Sequence, residues 1–248
     1  MRRHQIFFDI IYQVLPIISR QRFNAEWMQN PSSLPILCLV YSIALLGASI
    51  STKHSHQQQT CYNMARKYLE LCEREDDGKH LANLNVIQAL VFIIRYELRS
   101  KQLTRAWMTL GRAITLTKML NLYQLDNPTA GAGVFRANAE LSLPPIVDPV
   151  SLEELRRCLW ALYTFECYAC IRTNRSCQLH DSEVRTLIRI AQKTLDSMFA
   201  THKLNWNRYL FTFPPPDTSI KILFRRKCHI SMIVQEPTMS PTSALILP

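Results

Sequence analysis

The chain has 248 residues, of which 48% are hydrophobic and 19% charged, and its formal net charge at pH 7 is +10. This composition is that of a globular protein, and the length is sufficient to bury a sizeable hydrophobic core. Only 5 residues are glycine, and the sequence contains none of the glycine-rich phosphate loops or catalytic motifs of common enzyme folds. We therefore expect no enzyme, and the positive charge favours acidic partners without identifying one.

The cysteines and the apolar stretches bear on the cellular compartment. The 8 cysteines are too sparse for a disulfide scaffold, and several lie in apolar helical patterns, as reduced thiols do in intracellular proteins. The apolar stretch after Arg2 and Arg3 is interrupted by Asp9 and lacks a cleavage site, which argues against a signal peptide. The uncharged stretch 34–50 is shorter than the about 20 residues of a membrane span. The sequence thus predicts a soluble intracellular protein with no membrane association.

Apolar residues recur at helical spacing through most of the first 200 residues. Pro16 ends the first predicted helix, the break at 30–33 can cap the second, and the third stops near Gly78. Ser151 is the predicted N-cap of a later helix. The predicted helices cover residues 6–15, 34–50, 62–78, 84–96, 106–120, 151–171 and 181–200.

The remaining segments lack helical periodicity. Residues 126–149 are rich in Pro, Gly, Ala and Asn and are too long for a tight turn, so we expect a mobile surface loop. Residues 201–248 contain a proline run and scattered aromatic residues without a clear period. The sequence therefore predicts an all-α helical domain over residues 6–200, followed by a poorly specified tail over residues 201–248.

Three stretches, residues 7–23, 87–126 and 153–184, together resemble the regulatory, or middle homology, domain of fungal zinc-cluster transcription factors. The first is similar to the opening helix and proline turn of that domain, and the other two to its later helices. Their order and spacing agree over roughly residues 6–190 of this chain. Positions typical of the family are occupied here by Gln88, Trp107, Gly111, Arg156, Arg157, Trp160 and Arg175.

The resemblance implies a multi-helix bundle in a nuclear regulator of transcription that controls the genes of a metabolic or biosynthetic pathway. In that family this domain restrains or transmits activation, while a separate zinc cluster contacts DNA. The implied partners are the transcription machinery or related transcription factors, and a homodimer is also compatible. Because the similarity begins near residue 6, we expect the zinc cluster to be missing. The alternative is a truncated, DNA-binding-deficient interaction protein or an inactive remnant.

Cys167, Cys170 and Cys177 have the C-x2-C-x6-C spacing of half a binuclear zinc cluster. Such a cluster needs six thiolates so that both zinc ions reach tetrahedral sulfur coordination. The next cysteine is Cys228, and no second C-x2-C occurs. We therefore expect no metal site and no cofactor in this chain, and any zinc would belong to the missing DNA-binding cluster.

The family positions favour structural roles over catalytic ones. Trp107, Gly111 and Trp160 are expected at close helix crossings, because a glycine inside a helix costs about 1 kcal/mol relative to alanine. An effector pocket lined by the two tryptophans is the alternative. Arg157 is expected either to form surface ion pairs in the first helical turn or to point inward and pair with Glu166.

The basic excess concentrates in residues 185–227. Arg225, Arg226 and Lys227 are candidates for a nuclear-import signal or for contacts with phosphate, the alternative being a solvated surface. No predicted helix is typical of a recognition helix that enters a DNA groove. We therefore expect this chain to bind DNA only weakly and without sequence preference.

Overall fold

The computed structural model describes residues 2–124, 143, 148–173 and 177–179, and every structural statement below concerns these residues. They form helices and connecting turns without a β-strand. The all-α prediction is therefore confirmed. The α-helices are α1 (Arg2–Ile6), α2 (Arg20–Gln29), α3 (Leu34–Ile50), α4 (Gln58–Arg74), α5 (Leu84–Arg99), α6 (Leu103–Met119) and α7 (Pro149–Thr173).

Helix α5 is the centre of the bundle. All residues from 84 to 98 are buried, as expected for a helix that is covered by neighbours on every side. It packs against α3, α4, α6 and α7, and α3 in turn packs against α1 and α4. None of the residues of α3 is exposed, which explains its uncharged, apolar sequence. Within the described part of the chain, no helix is both long and apolar enough to span a membrane.

The N-terminal segment differs from its prediction. α1 begins at Arg2 and continues as a π-helix over Phe7–Ile11, so the helical part ends before Pro16. The sequence pattern did not predict α2, because Phe23 is its only buried residue and no apolar stripe runs along it. Ser19 caps α2, since its side chain accepts a hydrogen bond from the backbone N–H of Arg22.

Two helix ends are corrected by the structure. α4 ends at Arg74, because Asp76 and Asp77 adopt left-handed backbone angles, with φ of 49° and 53°, before Gly78. α7 begins at Pro149, and its first turn is capped by Asp148. The Asp148 carboxylate accepts hydrogen bonds from the backbone N–H groups of residues 150 and 151, at 3.2 and 3.1 Å. Ser151 is therefore not the cap.

The glycine at a close crossing is Gly47, not Gly111. A Cβ added to Gly47 in α3 would overlap the carbonyl oxygen of Arg3 in α1. Among the described residues, a Cβ added to Gly111 in α6 would meet Gln178 Nε2 at 3.6 Å, which is an ordinary contact. Within the described part of the chain, no close backbone approach therefore requires a glycine at position 111.

Part of the sequence prediction falls outside the described residues. This applies to most of the loop over 126–149, to the helix over 181–200 and to the tail over 201–248. It also applies to four candidate residues, namely Arg175, Arg225, Arg226 and Lys227.

Candidate functional site

A buried polar network joins α2, α5 and α7, and Arg22 is at its centre. The Arg22 guanidinium donates from Nε to Glu154 Oε2 at 2.7 Å and from Nη2 to Gln88 Oε1 at 2.8 Å. Its Nη1 donates to Glu26 Oε2 at 2.6 Å and to Asn85 Oδ1 at 3.1 Å. One side chain of α2 thus binds two residues of α5 and one of α7.

Within this network, both the side-chain oxygen and the side-chain nitrogen of Gln88 have hydrogen-bond partners. Besides accepting from Arg22, its Nε2 donates to Glu154 Oε2 and to the carbonyl oxygen of Ile17, each at 2.7 Å. Gln88 is completely buried, so each of these bonds replaces one to water that was lost on folding. Its family position thus has a structural role: it fastens α5 to α7 and to the segment before α2.

Glu154 is the buried carboxylate of the network. It accepts hydrogen bonds from Arg22, from Gln88 and from the backbone N–H of Ser19. Burial raises the pKa of this carboxyl, while the Arg22 guanidinium and the hydrogen bonds act in the opposite direction. A buried carboxylate with an arginine partner and several donors is stable only while all of these partners stay in place.

The two arginines at family positions on α7 lie beside this network. Arg157 donates from Nε to Glu153 Oε1 and from Nη1 to the Pro16 carbonyl oxygen, both at 2.9 Å. Arg156 forms an ion pair with Glu153 at 3.6 Å. Arg157 therefore combines an ion pair within α7 with a bond to the proline turn.

The predicted inward pair of Arg157 with Glu166 is replaced by other contacts. Glu166 is buried and accepts hydrogen bonds from the backbone N–H groups of Gln178 and Leu179. Among the described residues, Arg22 and Glu154 form a buried arginine–glutamate pair. Sequence reasoning missed it because the two residues are 132 positions apart, and no local pattern links them.

A groove of about 440 Å³ lies between α4, α5 and α6. Its apolar lining includes Leu69, Leu90 and Leu116, and Trp107 and Met108 of α6 line it as well. The Arg112–Glu73 ion pair and the side chain of Gln178 lie at the same groove. The volume is within the range of small-molecule and peptide sites.

The two tryptophans have different surroundings. Trp107 and Trp160 are both partly buried and pack against the hydrophobic core. Trp107 lines the groove, whereas the ring of Trp160 lies 5.6 Å from that of Tyr163 on α7. In the described part of the chain, the groove is thus lined by Trp107 without Trp160.

The cysteine motif ends on the described segment after α7. Cys167 and Cys170 are buried, and Cys177 is partly buried. A hydrogen bond to Cys167, together with burial, raises the pKa of the Cys177 thiol, and zinc binds the thiolate form. Among the residues with described positions, no group of three or more His, Cys, Asp or Glu side chains could hold a metal ion. The absence of a zinc site in this chain stays a prediction.

Comparison with known proteins gives consistent matches. The chain is 40% identical over 184 residues to the depudecin biosynthesis cluster-specific transcription activator DEP6 of Alternaria brassicicola, covering 73% of this chain and 28% of that protein. It is 35% identical over 216 residues to the protein of the same description from Fusarium langsethiae, covering 87% and 34%. The pigment biosynthesis transcriptional activator pigB of Monascus ruber is 26% identical over 195 residues, covering 79% and 34%.

The chain spans about a third or less of the length of these curated relatives. No solved structure shows a significant match. The family model described as fungal specific transcription factor domain matches residues 4–236, which is nearly the whole chain. The family and the relatives named above are transcription factors and not enzymes. The chain therefore belongs to the fungal specific transcription factor domain family.

Proposed function

We propose that this chain is the regulatory part of a nuclear transcription regulator that controls the genes of a biosynthetic pathway. The observation that carries the proposal is the family match over residues 4–236. The descriptions of the three relatives support it, because each is an activator of a biosynthetic gene cluster or pathway.

The proposed activity is exerted on proteins and not on DNA bases. The Arg22–Glu154 network fixes α7 against α2 and α5, so that the bundle presents a defined surface to the transcription machinery or to a related transcription factor. Base recognition is assigned to a separate zinc cluster, and the activity of this chain then requires no cofactor of its own. Its own DNA affinity rests on phosphate contacts, which weaken steeply with salt and carry no sequence information.

A reporter experiment tests the proposal. The full chain is inserted between a heterologous DNA-binding domain and a heterologous activation segment in a fungal cell, and reporter transcript is measured. The control fusion carries an unrelated helical domain of similar size in the same place. We expect reporter output to differ at least fivefold between the two fusions, because the domain restrains or transmits activation.

A matched pair of variants links that effect to the fold. Arg22→Ala removes the central donor of the buried network, whereas Arg20→Ala changes an exposed arginine on the same helix. The effect is expected to be lost in Arg22→Ala and kept in Arg20→Ala. Equal output from the inserted chain and the unrelated domain, with both fusions present at the same level, would contradict the proposal.

A further inference from the structure

The groove beside α6 leaves large apolar side chains in contact with solvent. Met108 is 63% exposed and Met119 47% exposed, and both line the groove together with Trp107. A concave apolar surface flanked by flexible methionines is typical of a site that receives an apolar helix face.

The chain itself arrives at this groove at residues 178 and 179. The Gln178 side chain lines the groove, and its carbonyl oxygen accepts a hydrogen bond from Lys118 Nζ at 2.9 Å. Glu166 binds the backbone N–H groups of both Gln178 and Leu179, and the Leu179 side chain is buried. The backbone is therefore anchored at the groove immediately before residue 180.

The sequence that follows has the pattern such a groove requires. Over residues 181–200 the apolar positions recur at intervals of three and four, which predicts an amphipathic helix of about 30 Å. Its apolar stripe consists of Val184, Leu187, Ile188, Ala191, Leu195, Met198 and Phe199. This length matches α6, whose 17 residues span about 26 Å.

The charges beside the apolar stripe are also complementary to charges at the groove. Arg185 and Arg189 lie next to one edge of the stripe on the predicted helix. On α4, Glu73 lines the groove, and Glu70 is exposed one turn before it. Because Glu73 is already paired with Arg112, a basic edge that faces the exposed Glu70 is the electrostatically favourable orientation of the segment.

We propose that residues 181–200 dock in the groove between α4, α5 and α6 as an amphipathic helix, with their apolar stripe against Trp107, Met108 and Met119. The occupant is thus the chain's own continuation, and the helix completes the bundle on the α6 side. The inference rests on the groove and on the anchored residues 178 and 179, and it is independent of the proposed function.

Photo-crosslinking of the full chain tests this docking. A benzophenone amino acid replaces Met108 or Met119 in separate samples, and cross-linked peptides are identified by mass spectrometry after size separation. We expect the main product to be a monomer cross-linked to a peptide within residues 181–200. A benzophenone at Met28, which is 83% exposed on α2, is the control and is expected to give no such product. Main products with another segment, or between two copies of the chain, would overturn the proposal, as would the absence of a cross-link.

Two isoleucines of the segment provide matched variants. Ile188 lies in the apolar stripe, whereas Ile190 is about 200° away around the predicted helix. Ile188→Asp is expected to lower the cross-link yield from Met108 at least fivefold, and Ile190→Asp to leave it within twofold. Equal yields from the two variants would overturn the proposal. If Ile188→Asp does not fold, Ile188→Ala and Ile190→Ala replace the pair, with the same order of yields expected.

Discussion

At the scale of single residues, Arg22 and Glu154 determine how three helices meet. Arg22 is 16% exposed and Glu154 only 5%, so both groups lose most of their hydration on folding. Their attraction and the bonds to Gln88, Asn85 and Ser19 offset that cost. A network of this kind does not guarantee high stability, but it penalises any packing in which one of its members is displaced.

Removal of Arg22 tests this interpretation. Arg22→Ala is expected to destabilise the fold by about 3–5 kcal/mol, because it leaves Glu154 buried without its cation. Arg20→Ala on the same helix is expected to cost less than about 1 kcal/mol, because Arg20 is exposed. Urea unfolding followed by circular dichroism measures both. If the two variants unfold at the same urea concentration, the network is not a stabilising element.

His4 gives a prediction for the pH dependence of stability. Its Nε2 lies 3.1 Å from the Val40 carbonyl oxygen, and its buried Nδ1 has no hydrogen-bond partner in the described structure. Burial lowers the pKa of His4 to about 4, whereas an unfolded histidine has a pKa of about 6.5. The unfolded state therefore binds more protons between these values, so stability is complete above pH 6.5 and falls as the pH decreases towards 4.

The expected loss from His4 over that window is about 3 kcal/mol at most. In His4→Leu this part of the pH dependence is expected to disappear. The measurement is the unfolding free energy of both proteins at pH 7 and at pH 4.5. If the unfolding free energy of the leucine variant decreases between the two pH values as much as that of the wild type, the pH dependence comes from other groups.

At the scale of elements, apolar periodicity predicted the helices that bury a stripe or their whole surface. The prediction for residues 34–50 agrees with α3 at both ends, because polar residues on each side of the uncharged apolar run mark where the buried helix begins and ends. The pattern did not predict α2, because Phe23 is its only fully buried side chain and no apolar stripe runs along it. The end of α4 was misplaced, because two aspartates adopt left-handed angles that are more usual for glycine.

The helix crossing at Gly47 is testable by comparison with Gly111. Gly47→Ala is expected to cost about 2 kcal/mol, because the new Cβ overlaps the Arg3 carbonyl oxygen and must push α1 away from α3. Gly111→Ala is expected to leave stability unchanged or raise it by up to about 1 kcal/mol, because alanine favours a helix and meets only an ordinary contact. Thermal unfolding of both variants gives the sign of each change, and destabilisation by Gly111→Ala equal to that by Gly47→Ala would restore the original expectation.

At the scale of the whole molecule, the sequence predicted the helical class and the family, while the site was only partly accessible from it. Gln88 was identified by resemblance, but its partners Arg22 and Glu154 are each 66 positions away along the chain. Contacts of this kind arise from the packing of the bundle and produce no periodic pattern in the local sequence. The groove could not be predicted from the sequence either, because the helical pattern around Trp107 and Met108 is the same whether these side chains are buried in the core or line a groove.

The DNA affinity of the whole chain tests the proposal that a separate zinc cluster, and not this chain, recognises the DNA sequence. We expect any affinity to come from residues 185–227, in which basic residues are concentrated, and therefore from phosphate contacts. Each neutralised phosphate releases counterions and adds about 0.9 to the slope of log affinity against log salt. Binding is thus expected to be weak, indifferent to sequence and largely lost near physiological ionic strength.

Titration of the purified chain against several unrelated duplexes at two salt concentrations measures this affinity. Reversing the charge of Arg225, Arg226 and Lys227 is expected to weaken binding equally on every duplex. Reversal of the exposed Lys53 and Lys67 on the bundle is the control and is expected to have a smaller effect. A tight, salt-tolerant preference for one duplex requires contacts with base edges in addition to phosphates. That result would mean that the chain reads DNA sequence by itself.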